Sequence, residues 1–175
     1  MLPLPVGVRG VPPDILKTVV GYDPDGEKNR AEAREFMQKL VYGPDKRLNI
    51  KVSTRNIAAY HDPDYQIGLN LTGIAVDDPD ANLVENYTCK SARNYTEYCN
   101  PEVDKLIFAQ SRETDRAKRK ELVWDVERLL VEDAARPIIE YDSGGTCWQP
   151  YVKGFAMHEN SIYNNTRFED VWLDK

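Results

Sequence analysis

The sequence predicts an α/β lobe, with a mixed sheet flanked by helices, and three observations carry that prediction. Apolar residues recur at helical spacing in several segments, shorter segments alternate apolar with polar residues, and caps, prolines and glycines mark the boundaries between them. Residues 28–43, KNRAEAREFMQKLVYG, follow Asp25-Gly26-Glu27 and place Ala31, Ala33, Phe36, Met37 and Leu40 on one side, with Gly43 beyond the end. Leu48-Asn49-Ile50-Lys51-Val52-Ser53-Thr54 alternates as a half-buried strand does, and Gln66-Ile67-Gly68-Leu69-Asn70-Leu71 alternates again before Gly73. Asn100-Pro101-Glu102 reads as an N-cap, a first-turn proline and a first-turn acid, ahead of Val103, Leu106, Ile107 and Gln110 on one face. Thr114-Asp115 caps a further helix over 116–136, whose apolar stripe is Leu122, Val123, Val126, Leu129 and Leu130, with Trp124 beside it. Arg136-Pro137-Ile138-Ile139-Glu140-Tyr141 reads as a strand entered through proline and ended by Ser143-Gly144-Gly145. From Trp148 onward the chain is aromatic, Asn-rich and less regular, and it is assigned to another surface.

One connection does not fit a simple sheet. Only RNIAAYHDPD separates the strand ending at Thr54 from the one beginning near Tyr65. Parallel strands of one sheet need a crossover of about a dozen residues or more, usually with a helix. The two strands are therefore antiparallel neighbours, or a crossover is missing.

Composition bounds the function classes. A chain of 175 residues that is 41% hydrophobic can bury one core. Its net charge of −6, with charged residues spread along the chain, argues against nucleic acid or an anionic membrane as the main partner. No apolar run approaches the roughly 18 residues of a membrane span, and MLPLPVGVRGVPP lacks the charged start and long apolar centre of a signal peptide. Pro3, Pro5, Pro12 and Pro13 make that opening read as a linker entering a domain, the mark of an internal fragment.

Cys89 and Cys99 enclose the polar loop CKSARNYTEYC, a length that a disulfide closes readily; the alternative is two unrelated half-buried thiols. A bridge implies an oxidising compartment. A metal reading is poorer, because this spacing is not a usual ligand pair and only His61 and His158 could assist. Cys147 is left over, between Thr146 and Trp148, and reads as a packed thiol.

The stretch GLNLTGIAVDDPD ends in Asp77, Asp78 and Asp80 around Pro79. Calcium would need about six or more oxygens, and the EF-hand pattern is absent. A hydrolase could use Asp77 and Asp78, or Glu85, as an acid/base pair, but adjacent carboxylates usually point apart. No Ser-His-Asp spacing, phosphate loop or HExxH motif is present. Asn70, Asn86, Asn94 and Asn164 each begin an Asn-x-Thr glycosylation pattern, which leaves a secreted glycoprotein interaction domain as a further alternative.

Taken in order, these motifs resemble a known family. Asn100 to Leu106 resembles its Asn-Pro-x-x-Asp helix start, Thr114 to Arg119 its Thr-Asp-x-x-x-Arg helix, Pro137 to Tyr141 its proline-led strand and Val152 to Phe155 its VKGF return. The family is that of the bacterial ABC-transporter solute-binding proteins of the dipeptide, oligopeptide and nickel-binding type, family 5. The resemblance extends upstream over YDPDGEKNRAEAREFMQKLVYGPDKRL and so covers almost the whole chain. It implies a periplasmic-binding-protein-like fold of type II, cluster C, of which this chain is an incomplete C-terminal lobe. Residues 1–24 would be a Pro-rich entry segment, 25–147 the lobe, with an internal segment missing near 60–64, and 148–175 a return toward the N-terminal lobe.

By the same resemblance, Asp78-Pro79-Asp80 caps a helix that starts at a cleft-facing turn. The candidate ligand-lining residues are Asn70, Leu71, Thr72, Gly73 and Asp77, with Tyr141 and Trp148 as hinge or cleft aromatics. The implied role is non-enzymatic and needs no cofactor or metal. A small solute or peptide is bound by closure of two lobes in the periplasm and handed to ABC permease membrane subunits. Two departures from the family stand out. An apolar turn, Thr72-Gly73-Ile74-Ala75-Val76, replaces the acid that would meet a peptide ammonium, unless Asp77 substitutes, and the segment after Thr54 lacks roughly thirty residues of crossover. Without the N-terminal lobe the chain is expected to bind weakly or not at all alone, and its uncovered faces make a homo-oligomer or a helper chain a candidate partner.

Overall fold

A computed structural model of the chain describes residues 11–54, 66–70, 73, 78–139, 146–156 and 168–174. In order they form α1 (Pro13–Leu16), α2 (Gly26–Lys39), β1 (Val52–Thr54), β2 (Ile67–Leu69), α3 (Pro79–Tyr87), α4 (Pro101–Arg112), α5 (Arg116–Glu132), β3 (Val152–Lys153), a 3-10 turn (Phe168–Asp170) and β4 (Trp172–Leu173).

The core lies among α3, α4 and α5. Leu83 and Tyr87 of α3, Val103 and Ile107 of α4, and Val123, Val126 and Leu130 of α5 are buried together, with Ala135 closing the end. Each large apolar side chain so placed stabilises the bundle by about 1.5–3 kcal/mol relative to leaving it in water. Capping explains where these helices start. Asp78 accepts from the Asp80 N–H, Asn100 from the Glu102 N–H, and Asp115 from the Ala117 and Lys118 N–H groups. Pro79 and Pro101 follow their caps, at positions where the missing N–H costs no helical bond. Asp25 caps α2 in the same way.

Two helix ends are closed by residues the spacing does not mark. After α2 the Val41 N–H donates to Gln38 O and the Tyr42 N–H to Met37 O, with Val41 at φ 64°. After α5 the Ala134 N–H donates to Val131 O and the Ala135 N–H to Leu130 O, with Ala134 at φ 49°. This pair of bonds is the Schellman closure, whose left-handed residue is normally glycine. A β-branched side chain there costs roughly 1–2 kcal/mol. Val41→Gly is therefore expected to raise the unfolding midpoint in urea without altering the slope, with a gain of about 1 kcal/mol.

The strands are short and lie apart from this core. β1 pairs with β2 in parallel, Val52 opposite Ile67 and Thr54 opposite Leu69, which overturns the antiparallel alternative. The connection between them lies mostly outside the described residues. The half-buried alternation expected over 48–54 and 66–71 is not seen: the strands cover only Val52–Thr54 and Ile67–Leu69, all of β2 is exposed, and Leu48, Ile50, Val52, Ile67 and Leu69 stand 38–47% exposed. α2 likewise buries none of its residues, and Phe36 is 51% exposed. Apolar periodicity marks a face made to be covered, and here the bundle does not cover it.

β3 pairs antiparallel with β4, Val152 opposite Leu173 and Lys153 opposite Trp172. Gly154 turns the chain at φ +72°, and a Cβ there would collide with the Asp170 carbonyl oxygen, so the VKGF sequence needs its glycine. The strand expected over Arg136–Tyr141 is not formed across Arg136–Ile139, and Glu140 and Tyr141 lie outside the described residues. Ala134 has already turned the chain, Pro137 has no N–H to give a ladder, and Ile139 is exposed.

Candidate functional site

The expected ligand-facing turn leaves β2 and ends at the cap of α3. Asn70 and Gly73 are exposed, whereas Leu71, Thr72 and Asp77 lie outside the described residues, as does Tyr141. Trp148 is half exposed and its ring contacts Phe155 at 4.6 Å between centroids, beside β3. No hydrogen bond or ring contact among the described residues joins Trp148 to Asn70 or Gly73.

The far end of that turn is held by a polar network. Asp78 caps α3 and receives a two-pronged bond from Arg119 of α5, at 2.6 and 3.0 Å. The Arg119 Nε–H donates to the Gln110 side-chain oxygen at 3.1 Å, and the Gln110 amide donates to Asp80 at 2.7 Å. Gln110 is fully buried, so its amide depends on these two partners for its hydrogen bonds. The Asp78 carboxylate, by hydrogen bond and charge, holds the Arg119 guanidinium above its ordinary pKa. The acid cluster is thus tied into the helices: two of its three acids anchor α3 onto α4 and α5. The planar fork of arginine matches a carboxylate in a way that lysine cannot, which explains the Thr-Asp-x-x-x-Arg pattern physically: Asp115 caps the helix, and Arg119 reaches Asp78 one turn later.

This arrangement also bears on the alternatives. Asp78 is paired with Arg119, and Glu85 with Arg93 at 3.0 Å, while Asp77, the other carboxylate of the candidate acid/base pair, lies outside the described residues. Among the described residues no three His, Cys, Asp or Glu side chains gather as a metal site, and no helix is long and apolar enough to cross a membrane. Two glycosylation patterns are sealed. The Asn86 amide donates to Asn82, the Asn94 amide donates to Thr88 O and Tyr98 O, and both residues are buried, so neither nitrogen can carry a sugar in the folded chain.

Cys89 and Cys99 are joined, with their Cα atoms 4.6 Å apart, while Cys147 is free and exposed rather than packed. The Cys89 N–H donates to both oxygens of Asp104, the acid of the Asn-Pro-x-x-Asp start, so that helix also braces the bridge. Tyr98 O–H and the Asn100 amide both donate to Asp133. Burial and then that bond raise the Tyr98 phenol, and the two donors lower the Asp133 carboxyl.

No protein-family model matches the chain. The oligopeptide-binding protein OppA of Bacillus subtilis is 31% identical over 146 residues, which are 82% of this chain and 27% of OppA. Among solved structures, the murein tripeptide binding protein MppA of Escherichia coli superposes with a TM-score of 0.65 at 19% identity, over 87% of this chain and 36% of MppA. The ABC transporter-associated periplasmic binding protein DppA of Helicobacter pylori, solved with the peptide STSA, gives a TM-score of 0.58 at 16% identity, over 90% of this chain and 38% of DppA. The chain therefore spans about a quarter to two fifths of the proteins it matches. The fold is that of a periplasmic binding protein, seen here as an incomplete α/β lobe. By sequence over 82% of its length this chain is similar to an oligopeptide-binding protein, and by fold to the periplasmic solute-binding proteins.

Proposed function

We propose that this chain forms part of the C-terminal lobe of an exported solute receptor that closes two lobes on a peptide or related small solute and delivers it to an ABC permease. The observation that carries the reading is the relation to OppA across four fifths of the chain, in a stretch that includes the anchored α3–α5 bundle. The turn from Asn70 to Asp77 is the ligand-facing edge in this reading, with Asn70, Leu71, Thr72 and Gly73 as lining residues and Asp77 as the acid nearest a ligand ammonium. Tyr141 and Trp148 flank the passage to the other lobe. Closure of a lobe pair desolvates a ligand from both sides, so one lobe alone supplies half the contacts.

Two titrations test this. The chain alone is expected to give no binding heat with short peptides at micromolar concentration. Grafted into OppA of Bacillus subtilis in place of the matching residues, it is expected to restore a receptor that binds peptides. Micromolar binding by the chain alone would defeat the half-cleft reading. A folded graft that binds no peptide would defeat the receptor reading itself.

A further inference from the structure

The buried carboxylate of Glu127 plays no part in the reading above, and its position is unusual. It lies in the middle of α5, only 2% exposed, among Val123, Val126 and Leu130. The Val11 N–H, from a part of the chain 116 residues away, donates to its Oε2 at 3.1 Å, and Val11 is itself buried. Between Val11 and α2 the chain is thinly packed. α1 is one turn long and buries none of its residues, Val20 is 69% exposed, and Ile15 meets α5 in a shallow groove beside Trp124.

We propose that residues 11–22 are a detachable strap across the α3–α5 bundle and that Glu127 is its catch, through a charge-assisted hydrogen bond to the Val11 main chain. Such a bond inside a poorly hydrated interior is about twice as strong as one between neutral groups. Groups that sense the carboxylate come from each side: Tyr22 from the strap, and Tyr87 from α3, whose ring carries Arg136 at 5.3 Å. Burial first, and the Glu127 charge after it, raises the Tyr22 phenol. Burial also raises Tyr87, with Arg136 opposing and Glu127 adding to the rise. The charge on Glu127 therefore reaches both the strap and the bundle.

Limited trypsinolysis of the 175-residue chain, followed at the exposed Lys17 that ends α1, reads the catch directly. Glu127→Met fills the same volume with an apolar group, which such sites often tolerate, and removes the acceptor. Val11→Pro removes the donor and leaves the bundle side chains in place. Both variants should be cut after Lys17 about tenfold faster or more, with cleavage within α3–α5 unchanged. Glu127→Gln keeps an oxygen acceptor and should fall between wild type and Glu127→Met. If Glu127→Met loses its cooperative melt, Val11→Pro alone decides. Wild-type cleavage rates after Lys17 in Val11→Pro would overturn the proposal, whatever the ligand of the receptor.

Discussion

Replacing Cys89 and Cys99 by serine is expected to lower the unfolding free energy by roughly 2–4 kcal/mol, the value for a loop of about this size on the chain-entropy account. The loop itself should keep its folded shape. Asn94 ties Thr88 O to Tyr98 O, Ser91 reaches back to Glu85 O, and Cys89 N–H remains on Asp104. The bridge thus acts mostly on the unfolded chain, while these bonds specify the fold. Urea unfolding of the double variant should show a lower midpoint with a larger slope, since an uncrosslinked unfolded chain exposes more surface. Amide exchange in residues 89–99 should slow or quicken only with global stability. Selective loss of protection in that loop at low denaturant would show that the bridge, not Asn94, holds it.

Replacing Arg119 by methionine is expected to cost about 2–3 kcal/mol. Arg119 and Asp78 keep 27% and 33% of their side-chain surface in water, so the ion pair is screened and contributes less than a fully buried one. The larger penalty comes from Gln110, whose buried amide loses an acceptor-side partner it cannot replace. Arg119→Lys should recover less than half, because an ammonium cannot bond Asp78 with two prongs and Gln110 as well. Gln110→Leu in the Arg119→Met background separates these contributions. If the polar cost sits on Gln110, the double variant should be more stable than Arg119→Met alone, and an additive result would place it on Asp78 instead.

The helical half of this fold is legible because caps and apolar spacing act locally. Asp78, Asn100 and Asp115 all serve as N-caps, and Val103, Ile107 and Gln110 share the buried face that their spacing places together. Glu127 is not legible: an acid within a charged helix reads as solvated, whereas the fold buries it and brings a main-chain donor from 116 residues away. The strand expected over Arg136–Tyr141 fails for a similar reason, since the left-handed turn at Ala134 has no glycine to announce it. Parallel pairing of β1 with β2 depends on a crossover rather than on the strands, and β3 and β4 are too short to alternate. Of the candidate site, the anchor is visible as the motif residues Asp78 and Arg119, but its purpose depends on Gln110, a side chain with no motif of its own.

The spacing of the three cysteines has a consequence for oxidative folding. The native bridge closes a separation of 10 residues, whereas joining Cys99 to the exposed Cys147 would close one about five times longer. Loop-closure entropy alone then favours the correct pair by about 1.4 kcal/mol, or tenfold, while the chain is still unfolded. An oxidised chain emerging unfolded is sorted toward the right isomer by distance along the sequence, and Asn94 and Asp104 have only to lock in a choice already made.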